Sequence, residues 1–154
     1  MDKLVLDTMY LLPLFGIKIK LKDYDKLFPL LLKNYTVLYN PVSVIEAKWI
    51  ILKLCKKNPS KKIILLEAFR EGLKALLNSN INQTILTNST IEKIADDLLL
   101  KAEIKDYFDR VIYATATYYH AILLTEDKEL LEINHKDLPR PKKIISWNTV
   151  IRMF

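Results

Sequence analysis

The chain has 154 residues, of which 51% are hydrophobic and 27% charged, a composition typical of one folded domain and not of a disordered or low-complexity chain. Its single cysteine excludes a disulfide framework and a zinc ribbon, and favours a reducing, cytoplasmic setting. The net charge of +6 is compatible with an anionic partner such as nucleic acid, but charge alone favours the simpler explanation of a lysine-rich solvated surface. No apolar stretch free of charges reaches the ~18 residues that a membrane span needs.

Short β-rich runs alternate with amphipathic helical stretches, which predicts βαβ units and a parallel sheet with helices on both faces. The predicted strands are Leu4–Leu6, Thr36–Tyr39, Thr84–Leu86, Ala121–Thr125 and Ile144–Ser146. The predicted helices are Thr8–Phe15, Tyr24–Lys33, Ser43–Lys57, Ser60–Leu77, Thr90–Lys101, Asp106–Tyr119 and Thr149–Phe154, with a short turn at Lys128–Glu132. Together they predict a single three-layer α/β/α domain over residues 1–154.

Several helices carry local start or stop signals. The Ser-x-x-Glu pattern at Ser43 and at Ser89 is typical of a capping box, and Pro59 opens the long predicted helix Ser60–Leu77. We interpret that long helix as an arm for contacts with a second copy or another partner. Pro29 is expected to kink or end the helix that contains it.

Four carboxylates fall at related places in this pattern. Asp7 ends the first predicted strand and Asp127 follows the fourth, whereas Glu46 and Asp109 lie in the first turns of helices. Ligand sites of open parallel sheets form at the carboxyl ends of the strands, and helix starts point to the same edge. The four acids are therefore expected to converge on one cleft.

Carboxylates crowded into one cleft repel one another and cannot all stay ionised alone. A hard divalent cation relieves the repulsion, and oxygen ligands without His or Cys suit Mg²⁺ or Mn²⁺. Such a cation lowers the pKa of a bound water and stabilises a leaving oxygen. The pattern therefore predicts metal-dependent hydrolysis of phosphodiester bonds.

Each acid also has a purely structural explanation. Glu46 is the third residue of a capping box, Asp109 interacts favourably with a helix dipole, and Asp127 caps the turn after it. Asp106 is better explained as a helix N-cap than as a ligand, although it faces the same side as Asp109. Asp7 is the hardest to explain structurally, because an aspartate that ends an apolar strand has little structural purpose.

Several motifs together resemble those of the PIN-domain ribonucleases, the family that includes the VapC-type toxins. Leu4-Val-Leu-Asp7-Thr8 resembles the family's first motif, and Pro41–Glu46 resembles the second. Asp109-Arg-Val-Ile-Tyr-Ala-Thr-Ala116 has the family pattern Asp-x-x-Ile-x-Ala-x-Ala, and it leads into Ile122-Leu-Leu-Thr125-Glu-Asp127. The ending Ile-Ile-Ser-Trp147 is similar to the last strand of many members, so the resemblance spans essentially the whole chain.

The resemblance implies a strand order of 3-2-1-4-5 and a role for each motif residue. It implies that the metal ligands are Asp7, Glu46, Asp109 and Asp127, and that Thr8 and Thr125 orient carboxylates or waters. It further implies an Mg²⁺- or Mn²⁺-dependent endoribonuclease whose products carry a 5′-phosphate and a 3′-hydroxyl. RNA is the expected substrate, and a small antitoxin and a second copy of the chain are the expected protein partners.

Two further functions stay open within this resemblance. The first alternative is a housekeeping PIN nuclease that acts in RNA processing or decay. The second is an inactive PIN module that binds RNA or protein. The presence of all four acids argues against the inactive module. A single cysteine excludes the branch with a zinc ribbon, and the length excludes the flap nucleases with their extra helical modules.

Overall fold

The computed structural model describes residues 1–154 and contains one five-stranded, all-parallel sheet with the order β3-β2-β1-β4-β5. The strands are β1 (Lys3–Leu6), β2 (Thr36–Tyr39), β3 (Asn82–Gln83), β4 (Ile122–Leu124) and β5 (Lys143–Ile145). In the centre of the sheet, Leu4 of β1 lies in register with Val37 of β2 on one side and with Ile122 of β4 on the other. The predicted α/β fold and strand order are confirmed.

The helices cover both faces of this sheet. They are a 3₁₀ helix (Thr8–Phe15), α1 (Tyr24–Asn34), α2 (Val42–Lys57), α3 (Lys62–Leu77, preceded by a 3₁₀ turn at Pro59–Lys61), α4 (Ser89–Ala102), α5 (Tyr107–Tyr118), α6 (Lys128–Leu131) and α7 (Trp147–Met153). None of them has both the length and the apolar character that crossing a membrane requires.

Strand β1 contributes side chains to two hydrophobic cores, one on each face of the sheet. Leu4 and Leu6 belong to the core that contains the 3₁₀ helix, α1, α2, α3 and α7, whereas Val5 belongs to the core formed with α4, α5 and α6. All three side chains are fully buried, because alternate residues of a strand point to opposite faces and this sheet is covered on both. The acid that follows β1 is therefore attached to the central strand of the sheet, next to its fully buried residues.

The 3₁₀ helix that follows β1 packs closely against α3. A Cβ atom at Gly72 of α3 would lie 2.8 Å from the Phe15 ring and would also meet the carbonyl of Leu14, so only glycine fits this crossing. Gly16 ends the 3₁₀ helix with φ of +84°, the left-handed conformation that glycine adopts without strain. Helix α3 is thus packed along much of its length, while its first turn exposes Ile63 and Ile64.

The third strand differs from its prediction. The sequence favours Thr84–Leu86, but β3 is Asn82–Gln83, two exposed residues that pair with Leu38 and Tyr39 at the edge of the sheet. Ile85 and Leu86 lie beyond the strand and are 43% and 47% exposed. The prediction followed hydrophobicity, whereas an edge strand needs only backbone pairing.

The two predicted capping boxes are also wrong. Helix α2 begins at Val42, and the buried hydroxyl of Ser43 makes no hydrogen bond. In α4 the N-cap is Asn88, whose side chain accepts a hydrogen bond of 2.8 Å from the backbone N–H of Ile91. Pro29 does not end α1, which continues to Asn34.

Candidate metal centre

The pairing of β1 with β4 brings the first and last predicted acids to the same edge of the sheet. The backbone N–H of Asp7 donates to the carbonyl of Leu124 over 3.0 Å, directly after the two strands end. From the next residue of the β4 chain, the Thr125 hydroxyl donates to Oδ2 of Asp7 over 2.6 Å. Asp127 follows two residues later, and its backbone N–H donates to the same hydroxyl over 3.0 Å.

The Asp7 side chain is buried, and both of its carboxylate oxygens accept hydrogen bonds. Oδ1 accepts the backbone N–H of Thr8 over 2.8 Å, so Asp7 also caps the 3₁₀ helix. Burial raises the pKa of Asp7; the hydrogen bonds from Thr125 and Thr8 oppose this, and the charge of Asp127 adds to it. A carboxylate fixed in this way is oriented before any ligand arrives.

Three further carboxylates meet at the starts of α2 and α5. One oxygen from each of Glu46, Asp106 and Asp109 lies within 4.8 Å of the other two, a spacing that a single cation can bridge. Asp106 is the N-cap of α5, and its Oδ1 accepts the backbone N–H of Asp109 over 3.2 Å. Helix α2 leaves β2 at the same edge of the sheet, which is why Glu46 lies opposite α5.

The five acids interact electrostatically as one group. Burial raises the pKa of Asp109 to about 8, and the charges of Asp7, Asp106, Asp127 and Glu46 add to the effect, in that order. Burial likewise raises the pKa of Glu46, with the nearby charges of Asp7 and Asp106 contributing. No salt bridge of the structure involves any of the five acids.

The donor set fits a hard divalent cation. Every candidate ligand is a carboxylate oxygen, without His or Cys, as Mg²⁺ and Mn²⁺ prefer. The buried hydroxyl of Thr8 makes no hydrogen bond, although it lies close enough to Glu46 to favour its charged form. A hydrated cation would offset the repulsion between the carboxylates, and its water molecules could hydrogen-bond to the unpaired buried hydroxyl.

The structure places the predicted residues at one edge but groups them differently from the prediction. Asp106, which the sequence explains as a helix cap, is both that cap and a member of the three-carboxylate group. Asp127 caps α6 through a 3.0 Å hydrogen bond from the N–H of Leu130 and acts on Asp7 and Asp109 through its charge. The ligand roles of the individual acids stay predictions.

Sequence reasoning missed Glu126, which lies between Thr125 and Asp127. Its Oε1 accepts the Tyr10 hydroxyl over 2.8 Å and the backbone N–H of Trp147 over 2.6 Å. This one carboxylate therefore joins the end of β4 to the 3₁₀ helix and to the start of α7. The sequence did offer one signal for Glu126, because an ionisable residue just after a buried strand needs polar partners.

Comparison with known proteins supports this description. A family model for the PIN domain matches residues 4–136. Three solved structures share the fold: VapBC2 from Rickettsia felis bound to a promoter DNA fragment (21% identity, TM-score 0.66), PAE2754 from Pyrobaculum aerophilum (15%, 0.59) and FitAB bound to the IR36 DNA fragment (16%, 0.62).

The coverage is nearly complete in both directions. It is 94% of this chain and 98% of the VapBC2 chain, 99% and 95% for PAE2754, and 94% of each chain for FitAB. At these identities the structural matches establish the fold alone. No curated protein matches this chain.

Proposed function

Because the chain belongs to the PIN-domain family, whose members are generally nucleases, we propose that it is a metal-dependent endoribonuclease and the toxin of a toxin–antitoxin pair. The observation that carries the proposal is the group of carboxylates without a basic partner, in which the pKa of Asp109 is raised to about 8. Such a group is costly in a folded protein unless a cation binds to it.

The proposed ligands are Asp7, Glu46, Asp109 and Asp127, and the geometry adds Asp106 as a candidate. When bound, Mg²⁺ or Mn²⁺ would supply a Lewis acid that lowers the pKa of a water molecule and offsets the charge of a phosphodiester. The chain itself supplies orientation, because Thr125 and the backbone N–H of Thr8 fix both oxygens of Asp7. A neutral Asp109, which its raised pKa allows near neutral pH, would release its proton as a cation binds.

The assignment as a toxin has separate support. Two of the structures compared above are the complexes VapBC2 and FitAB, each bound to a DNA fragment. On this chain, Ile45, Trp49 and Leu52 of α2 are each about half exposed, a row of apolar side chains that a bound protein would cover. We therefore include an antitoxin partner, a homodimer and a cytoplasmic location in the proposal.

The nuclease activity is tested with purified protein and single-stranded RNA. We expect cleavage in Mg²⁺ or Mn²⁺ to give 5′-phosphate and 3′-hydroxyl ends, and we expect EDTA to stop it. Asp7→Asn is expected to abolish cleavage while the circular dichroism spectrum stays that of the wild type. Cleavage that persists in EDTA or in Asp7→Asn would contradict the proposed mechanism.

The toxin assignment needs a different measurement. We expect expression of the chain to arrest growth, and co-expression of the small protein encoded beside it to restore growth. Growth that is unaffected by an RNA-cleaving chain would reject the toxin and favour the housekeeping nuclease. Absence of cleavage together with binding of RNA would favour the inactive module.

A further inference from the structure

We propose that the segment of residues 17–22, here called the lysine strap, binds the phosphate backbone of single-stranded RNA through Lys18, Lys20 and Lys22. The inference rests on the proposed function, because it assigns a binding surface for the RNA that the carboxylate site would cleave. It concerns residues between the 3₁₀ helix and α1 that lie outside the carboxylate group.

The strap alternates strictly between basic and apolar residues. Lys18, Lys20 and Lys22 are exposed, whereas Ile17, Ile19 and Leu21 are half-buried. The apolar side chains pack against the core that also contains the 3₁₀ helix and α1. Because the apolar set packs inward, the three lysines that alternate with it face solvent on the same segment.

The spacing of this row suits a nucleic acid strand. Residues two apart along a chain are separated by at most about 7 Å of backbone. Successive phosphates of a single strand are a comparable distance apart, so the three ammonium groups can each meet a different phosphate. The backbone groups of residues 18–20 make no backbone hydrogen bonds within the chain, which leaves them accessible to solvent or to a ligand.

The strap is tied to the edge of the sheet that carries the carboxylates. The indole N–H of Trp147 donates to the carbonyl of Lys22 over 2.8 Å. The backbone N–H of the same Trp147 donates to Glu126, which immediately precedes Asp127. One tryptophan therefore separates the end of the strap from the acidic segment, and the two surfaces can contact one continuous RNA strand.

The three lysines are free to bind an anion. None of them takes part in a salt bridge, whereas Lys26, at the start of α1, lies 4.0 Å from Asp23. A cleft of about 590 Å³ opens between the strap and the start of α1; Lys18 and Lys26 line it together with Asp23 and Asp25, whereas Lys20 and Lys22 lie outside it. Free positive charges beside an open cleft favour a polyanion over a neutral ligand.

The test measures how salt affects the binding of a labelled single-stranded RNA by fluorescence anisotropy. The full chain carries Asp109→Asn so that the RNA stays intact, with or without the triple substitution Lys18→Gln, Lys20→Gln and Lys22→Gln. Loss of three phosphate contacts should weaken binding at low salt on the order of tenfold and reduce the slope of log K against log salt by about 2. Lys20→Gln alone should reduce the slope by about 0.7.

The matched control replaces Lys56, Lys57 and Lys61 with glutamine. These exposed lysines lie at the end of α2 and in the 3₁₀ turn after it, at the amino edge of the sheet, and carry the same charge. We expect this control to keep the slope of the unsubstituted protein. An equal loss in both triple variants, or no loss in the strap variants, would overturn the inference.

The outcome for the strap is separable from that for the nuclease. Failure of the wild-type chain to cleave RNA would reject the proposed function. If the wild-type chain cleaves RNA and the strap variants keep an unchanged salt slope, the strap inference alone is rejected.

Discussion

The two edges of the central sheet hold aspartates in opposite electrostatic settings. At the amino edge, Asp2 precedes β1 and forms a 2.6 Å salt bridge with Lys142, which precedes β5. The hydrogen bond and charge of Lys142 lower the pKa of Asp2. At the carboxyl edge, Asp109 has no basic partner, and burial among other acids raises its pKa to about 8.

This contrast distinguishes a charged pair that is compatible with folding from a group of like charges that is explained by a binding site. An exposed pair such as Asp2–Lys142 contributes little to folding and can be lost at small cost. The carboxylates at the other edge oppose folding as long as they stay charged and unpaired. Since both sets lie at opposite edges of the same sheet, matched substitutions at the two edges compare the two settings directly.

The largest expected difference is in catalysis. Asp109→Asn removes a proposed ligand charge and should lower RNA cleavage on the order of a thousandfold in Mg²⁺ or Mn²⁺. Asp2→Asn, the same change at the amino edge, should leave the cleavage rate within about twofold. Both rates are measured with one labelled RNA at saturating metal. Equal losses in the two variants would remove the functional distinction between the edges.

An intermediate effect is expected from the residue that orients Asp7. Thr125→Val keeps the shape of the side chain but removes the 2.6 Å hydrogen bond to Oδ2 of Asp7, and should lower cleavage by about 10- to 100-fold. The control is Thr117→Val, since the Thr117 hydroxyl is also buried but donates only to the Tyr113 carbonyl of its own helix. We expect the Mn²⁺ concentration for half-maximal activity to rise only in Thr125→Val.

The smallest expected effect is on the stability of the metal-free chain. The raised pKa of Asp109 means that the folded state holds a proton that the unfolded state has lost, so the free energy of unfolding falls between about pH 5 and pH 8. Allowing for solvent screening of a partly exposed group, the part of the fall due to Asp109 is on the order of 1 kcal/mol, and Asp109→Asn should remove that part. Asp7 and Glu46, whose pKa values are also raised, add to the fall with the same sign.

The contribution of Asp2 to stability changes with pH in the opposite direction. Because its pKa is lowered in the folded state, Asp2 adds stability above its ordinary pKa and loses it as the pH falls. Asp2→Asn should therefore slightly destabilise the protein at neutral pH and have no effect in strong acid. Urea unfolding in EDTA from about pH 2 to pH 8 measures both. A stability of the wild type that rises from pH 5 to pH 8 would contradict the account of Asp109.

The sequence predicted the elements that depend on burial and missed those that depend on local geometry. The central strands were recognisable because residues such as Val5 and Leu123 form apolar runs that a covered parallel sheet requires. The edge strand Asn82–Gln83 carried no such signal, and the apolar Ile85 nearby drew the prediction two residues too far. The cap at Asn88 was missed because Ser89 offers an equally good pattern one residue later.

The candidate site was predicted through topology more than through local sequence. Asp7 and Asp109 were recognisable as motif residues, and the order of the strands brings them to one edge. Asp106 was assigned a single structural role, because sequence spacing does not reveal that a helix cap also lies within 4.8 Å of two other carboxylates. Glu126 was missed because its partners, Tyr10 and Trp147, lie more than 20 residues away along the chain.

Position 72 lies outside the carboxylate site, yet the structure makes it sensitive to substitution. Every larger side chain there would push against Leu14 and Phe15 and displace the short helix whose first residue follows Asp7. A mutational screen for inactive variants should therefore recover substitutions at position 72 beside those at the acids, although glycine contributes no chemistry.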